Sequence, residues 1–599
     1  MKKNTSKPYY QFRRVTVLSV FALVIVGLLW RALDMQVINQ AFLKQQGDAR
    51  HLRVVPISAH RGDMYDRNGE PLAISTPVDS IWVNPKEIKT DSGRLVELAG
   101  ALNINKANLK NKIAKNINKE FVYVLRQVPP AVGLKIKKLG IPGVYLLREY
   151  KRFYPAGEVT SHILGFANVD DKGQEGLELA YDDWLSGEAG AKKVIRDRLG
   201  QVIEDVERLR PAEPGQPVYL SIDRRIQYLA YQSLKSAVKE QKAIAGSAVV
   251  LDVHTGEVLA MVNQPSFNAN DRSQLRPGVY RNRSVTDVFE PGSTMKPFTI
   301  AAALETGRWH PKDNVHTEPG YYKVQGSTIK DMRNYGKINL GEIILKSSNV
   351  GVSKVALSLA HEQQLGMYMK LGFGVDTGSG FPGERSGNLR TGNLSEFERA
   401  TMSFGYSLSV TPLQLARAYS ALAANGVIYP VTFLRRDESV QGEKVMSAST
   451  AQKVRHMMER VVSPQGTANK ASIANYRVAG KTGTVHKFIS GGYAEDRYLS
   501  IFAGMVPASN PRLVMVVMLN EPRKGQYFGG QVAAPVFSRV MAGALRILDV
   551  PPDDLKTEEK QYVQHKESPT RIRPGYEKTV HKKTENKSLA HIVLRDTKT

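Results

Sequence analysis

The apolar pattern opens with an uncharged run, Val15–Trp30 (VTVLSVFALVIVGLLW), flanked on its N-terminal side by Lys2, Lys3, Lys7, Arg13 and Arg14. A bilayer core takes ~20 apolar residues and seldom fewer than ~17. Arg31 can carry its charge outward on its aliphatic stem, so Ala32 and Leu33 extend the run by most of a turn. A cleaved leader needs small residues at alternate positions after the apolar stretch, and Trp30-Arg31-Ala32-Leu33-Asp34 supplies none. The pattern therefore predicts an uncleaved single-pass anchor over residues 15–33. The basic segment 1–14 stays cytoplasmic and the bulk of the chain lies on the far side.

Beyond the anchor, residues 34–220 read as irregular α/β pieces. Asn68-Gly69 between two short extended stretches predicts a tight hairpin, Arg152–Phe166 a turn followed by a helix, and Gly176–Gly187 a helix. From Ser221 the pattern sharpens. Asp223 is placed to cap an amphipathic helix, Arg224–Gln241, with Ile226, Leu229, Ala230, Leu234 and Val238 at helical spacing. Ser247–Leu251 and Glu257–Asn263 form one apolar hairpin. A second, Leu499–Val506 and Leu513–Leu519, turns through Pro507–Arg512. Mostly helical sequence lies between them. Distant segments sharing one antiparallel sheet make this an α+β domain over residues 221–550. After Pro551 large apolar residues thin out, and residues 551–599 read as a flexible polar tail.

Composition changes this picture in three respects. With 42% apolar and 23% charged residues among 599, the chain is globular rather than disordered. The net charge of +26 favours anionic surroundings. Export across a membrane removes nucleic acid as the natural partner. The absence of cysteine excludes disulfides, thiolate catalysis and cysteine-held zinc.

Three short motifs carry candidate chemistry. In Ser293-Thr294-Met295-Lys296, helical spacing brings the lysine amine within reach of the serine hydroxyl. Ser236…Lys239 and Ser327…Lys330 repeat the spacing, but the first sits inside the amphipathic helix and the second in a polar turn region. Proline is tolerated only in the first turn of a helix, so Pro297 places a helix start close to Ser293, where a free backbone N–H can bind an oxyanion. Ser347-Ser348-Asn349 brings two hydroxyls and an amide together; Ser386-Gly387-Asn388 has the same form. Lys481-Thr482-Gly483-Thr484 precedes the last hairpin, where a lysine and a threonine beside a glycine on a sheet edge can grip a carboxylate.

In this order the three motifs are the set found in penicillin-binding proteins and related β-lactamases. The chain resembles the class B penicillin-binding proteins, and within them the division-type D,D-transpeptidases, over roughly residues 10 to 540. Arg61-Gly62-Asp63 with Asp66-Arg67-Asn68-Gly69 is similar to the box in that family's non-catalytic domain, a better account of the tripeptide than adhesion. The stretch Arg281-Asn282-Arg283 through Asp287–Ser293 is similar to the approach to the division enzyme's nucleophile. Tyr527-Phe528-Gly529-Gly530 and Ala534-Pro535-Val536-Phe537 add to the likeness. The tail after Pro551 departs from it.

The resemblance implies a single transmembrane helix, an elongated α/β pedestal of the dimerisation type over residues 34–220, and a transpeptidase domain whose central antiparallel sheet is flanked by helices. It implies an inner-membrane enzyme, largely periplasmic, that cross-links the stem peptides of septal cell wall and is acylated by β-lactams. Ser293 would be the nucleophile, Lys296 its base and Ser347 a proton relay. Asn349 would hold the substrate peptide, Lys481, Thr482, Gly483 and Thr484 its carboxylate end, and the backbone N–H groups of Ser293 and Thr484 the oxyanion. No metal or organic cofactor is implied; an FtsW-type glycosyltransferase and other division proteins are implied as partners. An elongation-type relative shares the three motifs, and only the residues around Phe289 favour division. A class A β-lactamase would be shorter and lack the pedestal. A bifunctional enzyme would carry a glycosyltransferase where the Arg61 box stands. A β-lactam receptor would carry several spans or a zinc protease motif, and His361-Glu362 has no second histidine at the required spacing.

Overall fold

The structure is a computed structural model that describes residues 8–42, 52–88, 93–196, 202–271, 273, 275–489 and 492–555. Most of the expected polar tail, from residue 556, lies outside the described residues.

The first helix, α1 (Pro8–Leu33), runs on through a π-helical turn, Asp34–Ile38. The helix able to cross a membrane, Gln11–Ile38, is 28 residues long, has a mean hydropathy of 2.2 over an 18-residue stretch, and contains the expected anchor 15–33. At 1.5 Å per residue it reaches roughly 40 Å, enough for a bilayer core. Phe21, Leu23 and Leu28 on different sides are all exposed, as suits a helix surrounded by lipid. Arg31 does not carry its charge alone: its guanidinium pairs with Asp34 at 2.9 Å.

The region that follows contains β1 (Leu52–Ile57), β2 (Met64–Tyr65), β3 (Pro71–Val83), α2 (Gly93–Ala101), α3 (Lys106–Ala114), β4 (Val122–Val128), α4 (Pro130–Leu139) and β5 (Val144–Phe153). Next come β6 (Gly190–Arg196), β7 (Val202–Arg210) and β8 (Val218–Tyr219). Strand β3 pairs antiparallel with both β4 and β5, and α2–α4 close one face over Ile81, Val83, Leu95, Leu98, Leu109 and Ile136. These residues form a hydrophobic core separate from the main one. The Asn68-Gly69 hairpin exists, β2 against β3, but its loop is longer than two residues. The Asp66 carboxylate accepts from the Asn68 and Glu70 N–H groups at 2.7 and 2.9 Å, which widens the turn. Arg61 is buried, donating to Glu178 at 2.8 Å and Asp182 at 2.6 Å, while Arg152 meets the other Glu178 oxygen at 2.6 Å. Those pulls on two neighbouring turns accompany a break at Tyr181: the expected helix over 176–187 is two short ones, Gly176–Ala180 and Asp182–Leu185. A buried Arg61 leaves no adhesive tripeptide.

The second region begins with α5 (Arg224–Glu240), capped by Asp223, whose carboxylate accepts from the Arg225 N–H at 3.0 Å. Strands β9 (Ala245–Asp252) and β10 (Val258–Gln264) follow, then α6 (Lys296–Glu305), the small hairpin β11 (Tyr321–Val324) and β12 (Ser327–Lys330), α7 (Leu340–Lys346), α8 (Asn349–Leu357), α9 (Pro412–Ala423) and α10 (Ala448–Val462). The chain closes with β13 (Ala479–Ile489), β14 (Gly492–Val506), β15 (Leu513–Asn520) and α11 (Ala534–Ile547). Both expected hairpins form and join in one antiparallel sheet, ordered β10-β9-β15-β14-β13. Helices α5 and α11 pack on one face; α9 and α10 pack on the other. Every residue of β9 and β10 is buried, as a strand covered on both faces requires.

Candidate active site

Ser293 lies in a 3-10 turn, Gly292–Met295, that runs directly into α6, with Pro297 as the second residue of the helix. The helix start is where Pro297 predicts it. Gly292 has φ +57, and a Cβ there would lie 2.4 Å from Val485 Cγ2 on β13, so glycine lets this turn seat against the sheet. Across the turn the Gly292 N–H donates to Gly405 O at 3.1 Å. Ser293 is half-buried; Lys296 is wholly buried.

Lys296 Nζ is the hub of the site. It is 2.7 Å from Ser293 Oγ, 2.8 Å from Ser347 O, 3.0 Å from Ser347 Oγ and 2.7 Å from Asn349 Oδ1. Ser347 ends α7 in the left-handed conformation, φ +59, which turns its hydroxyl and carbonyl toward the lysine. Ser348 caps α8, accepting from the Gly351 N–H at 2.8 Å.

Lys481 Nζ donates to the same Ser347 Oγ at 3.0 Å and to Thr482 O at 3.2 Å. Lys481 and Thr482 are buried on β13, the edge strand of the sheet. Close packing surrounds Gly483, where a Cβ would lie 3.1 Å from Pro291 O and 3.2 Å from Thr294 Cγ2. Thr482 Oγ1 is 3.1 Å from Thr467 Oγ1, and Thr484 Oγ1 accepts from the Gly529 N–H at 3.1 Å. Ser293, Lys296, Ser347, Asn349 and Lys481 are thus joined by direct hydrogen bonds, and Thr482, Gly483 and Thr484 follow on the same strand.

Burial sets the electrostatics. Desolvation holds Lys296 well below the usual lysine range; the Lys481 ammonium lowers it further, and the Asp331 carboxylate opposes both. Desolvation lowers Lys481 to about 7. A neutral Lys296 has a lone pair to accept the Ser293 proton. Because Ser347 Oγ accepts from two lysines, its own O–H points at neither of them.

Sequence reasoning missed Asp331. Its carboxylate accepts from the N–H of Asn349, the N–H of Val350 at 3.0 Å and the hydroxyl of Ser348 at 2.6 Å. It thereby fixes the N-terminus of α8, where a carboxylate is favoured. Lys330, from the same hairpin, offers its carbonyl to Asn349 Nδ2 at 3.1 Å. The only signal was an acidic residue near the site in the chain, which no motif marks. The repeated spacings are structural. Ser236…Lys239 lies at the C-terminal end of α5, and Ser327…Lys330 spans the extended strand β12, where three-residue spacing points the side chains to opposite faces. Ser386 O accepts from Gln414 Nε2 at 2.7 Å.

Comparison with known proteins identifies both regions. The penicillin-binding protein transpeptidase domain matches residues 246–542, and the penicillin-binding protein dimerisation domain matches residues 56–220. The peptidoglycan D,D-transpeptidase FtsI of Escherichia coli is 44% identical over 558 residues, 92% of this chain and 94% of that protein. The transpeptidase domain of Burkholderia pseudomallei penicillin-binding protein 3 is 45% identical with a TM-score of 0.52, covering 56% of this chain and 97% of the other. Penicillin-binding protein 3 of Mycobacterium tuberculosis, solved with aztreonam, is 28% identical with a TM-score of 0.65, covering 84% of this chain and 98% of the other. A pedestal domain, a three-motif serine–lysine site and a relative of this identity along nearly the whole chain place the protein in the family of penicillin-binding peptidoglycan D,D-transpeptidases.

Proposed function

We propose that the protein is a peptidoglycan D,D-transpeptidase that builds septal wall through a Ser293 acyl-enzyme. Neutral Lys296 takes the Ser293 proton as Oγ attacks the carbonyl of the penultimate D-alanine of a donor stem peptide. The backbone N–H groups of Ser293 and Thr484 receive the oxyanion, and Lys481 with Thr482 holds the terminal carboxylate. Ser347 then passes its proton to the leaving nitrogen and is reprotonated from Lys296, so that D-alanine departs and the ester remains. The amine of a neighbouring stem attacks that ester; the C–N bond forms, the Ser293 C–O bond breaks and the serine recovers its proton. Asn349 aligns the peptide.

The observation that carries this reading is the 2.7 Å contact between Ser293 Oγ and a buried Lys296 whose pKa is held well below the usual range. The test is intact-mass analysis after exposure to penicillin, followed by peptide mapping. One adduct on Ser293, absent in Ser293→Ala, is expected. Adduct on Ser236 or Ser327, or equal labelling of the variant, refutes the assignment.

The apolar helix α1 supports a single-pass inner-membrane anchor with the basic segment 1–14 in the cytoplasm and the catalytic part in the periplasm. Its exposed faces give an FtsW-type membrane glycosyltransferase a surface to pack on. Similarity of the Arg281–Ser293 approach to division-type enzymes supports the septal role, and depletion is expected to give filaments with blocked septa. Rounded cells that still divide would count against it. The domain limits follow as 1–14, 15–33, 34–220, 221–550 and 551–599, with the non-catalytic pedestal ahead of the transpeptidase domain.

A further inference from the structure

Glu290 stands three residues before the nucleophile and is half-buried. Its Oε1 accepts from the Ser407 N–H at 3.1 Å, and the Tyr493 hydroxyl lies 3.0 and 2.8 Å from its two oxygens. Both donors are neutral, and no cation pairs with this carboxylate among the described residues. A carboxylate offers about four lone-pair sites. Here the two neutral donors leave acceptor capacity on a partly desolvated negative charge, in a protein of net charge +26.

Aromatic rings lead from the catalytic lysine past this group to solvent. The Phe404 ring centre is 5.9 Å from Lys296 Nζ. Phe404 and Tyr406 are 5.6 Å apart, Tyr406 and Tyr493 5.7 Å, and Tyr493 and Phe488 5.3 Å. Phe488 is 67% exposed and Tyr493 48%. Tyr493 belongs to the β13–β14 hairpin whose first strand carries Lys481–Thr484. Ring faces beside one unneutralised carboxylate are the chemistry that recognises an ammonium group.

Resting on the transpeptidase reading, we propose that Glu290, with Tyr406 and Tyr493, binds the acyl acceptor, the primary ammonium of a neighbouring stem peptide. Lys481 and Thr482 hold a negative donor end, while the acceptor's reacting end is positive and needs the opposite charge. The bound ammonium loses one proton to water to become a nucleophile. A second proton, released as the C–N bond forms, passes through Lys296 to Ser293 Oγ as the ester C–O bond breaks.

The competing role is a mechanical tie between Tyr493 and the nucleophile turn, and Glu290→Gln separates the two. The glutamine oxygen still accepts from Ser407 and Tyr493, whereas the charge is gone. The full chain in detergent is given a D-alanyl thioester donor and one of two acceptors at pH 7.5: Nα-acetyl-D-lysine amide, an ammonium, or hydroxylamine, which is largely neutral there. The readout is the ratio of aminolysis to hydrolysis of the acyl-enzyme. Glu290→Gln is expected to lower that ratio about 10-fold or more for the ammonium acceptor and by less than about 2-fold for hydroxylamine. Tyr493→Phe, which cuts the tie and keeps both charge and ring, is expected to retain the preference for the ammonium. An unchanged ratio for the ammonium acceptor, an equal fall for both acceptors, or the same loss in Tyr493→Phe overturns the proposal. A wild-type protein that turns over no thioester refutes the transpeptidase reading instead.

Discussion

Lys296 and Lys481 donate to one and the same oxygen, Ser347 Oγ, each from 3.0 Å. Their amines are therefore no more than about 6 Å apart, and both side chains are fully buried. Two ammonium groups at that separation repel by on the order of 3 kcal/mol at an effective dielectric constant of 20. At neutral pH the pair thus carries at most one proton with ease, which leaves a free base beside Ser293.

The first prediction concerns that coupling. The Lys481 ammonium lowers the pKa of Lys296, so Lys481→Gln raises it. A base of higher pKa is protonated over a wider acid range, and the acid limb of the acylation profile moves to higher pH. Lys481→Gln is expected to lose acylation rate most at and below neutral pH and to recover part of it toward pH 10, with Lys296→Gln inactive throughout. Second-order acylation by a penicillin from pH 6 to 10 provides the measurement. A Lys481→Gln profile parallel to wild type would mean that Lys481 acts on the ligand alone.

Much of this site is legible in the chain because its chemistry is local. Ser293 and Lys296 share one turn, and Pro297 marks the start of the helix that presents them. The apolar strands 247–251, 257–263, 499–506 and 513–519 announce the sheet by their continuous burial. What was not legible depends on contacts that no local pattern encodes. Asp331 reaches Asn349 from a separate hairpin, and Glu290 meets Tyr493 across 203 residues. The wide loop at Asn68-Gly69 has a different origin: the Asp66 side chain competes for backbone N–H groups that a two-residue turn would leave to the strands. Similarly, the break at Tyr181 belongs to Arg61, more than a hundred residues earlier, which draws on Glu178 and Asp182 at once.

Asp331 gives the second prediction, in which charge and position are separable. Its carboxylate raises the pKa of Lys296 while holding the start of α8. Asp331→Asn keeps an acceptor for Val350 and removes the charge, so the pKa of Lys296 falls further and the acid limb of acylation moves to lower pH. Asp331→Ala also frees Ser348 and Asn349. At about 1.5–3 kcal/mol for hydrogen bonds to a charged group, it is expected to slow acylation on the order of 10- to 100-fold. Profiles from pH 5 to 9 for the two variants check both effects. An alkaline shift in Asp331→Asn would contradict the charge argument.

The third prediction concerns Asp553. Asp553 accepts from the Arg477 N–H at 2.7 Å, the Ser509 N–H at 3.1 Å and the Ser509 hydroxyl at 2.6 Å, and so ties the chain beyond α11 to the segments before and after β13 and β14. A chain ending at residue 552 lacks these bonds; one ending at 555 keeps them. At about 1 kcal/mol net per bond, less for partly exposed groups, the shorter chain is expected to melt a few degrees lower. Asp553→Ala in the full chain should reproduce the shift. Equal melting temperatures for the two truncations would show that the contact contributes nothing.

The final prediction turns the buried lysine into a stability measurement. Lys481 is fully buried, and desolvation lowers its pKa from 10.5 to about 7. The unfolded chain carries an ordinary lysine near 10.4. Between about pH 7 and 10.5 the unfolded state therefore binds a proton that the folded state does not, and stability rises with pH across that window. Below pH 7 both states bind the proton and the full penalty applies, on the order of 5 kcal/mol from the size of the shift. Lys481→Met fills a similar volume without charge. It gives up the hydrogen bonds to Ser347 Oγ and Thr482 O, each worth about 1 kcal/mol net. The balance favours the variant at neutral pH by roughly 1–3 kcal/mol; the advantage is gone near about pH 9, and by about pH 10, where the wild-type penalty has almost disappeared, the wild type is the more stable by about 1 kcal/mol. Comparing the two proteins cancels other groups that titrate in the window. Urea denaturation at pH 7, 8, 9 and 10 is the test, with penicillin acylation measured in parallel and expected to collapse in the variant. A variant less stable than wild type at pH 7, or a difference constant across the series, would show that the folded protein holds Lys481 as comfortably as water does. Loss of activity together with gain of stability would instead show that the fold bears the cost of keeping this amine dry for the reaction.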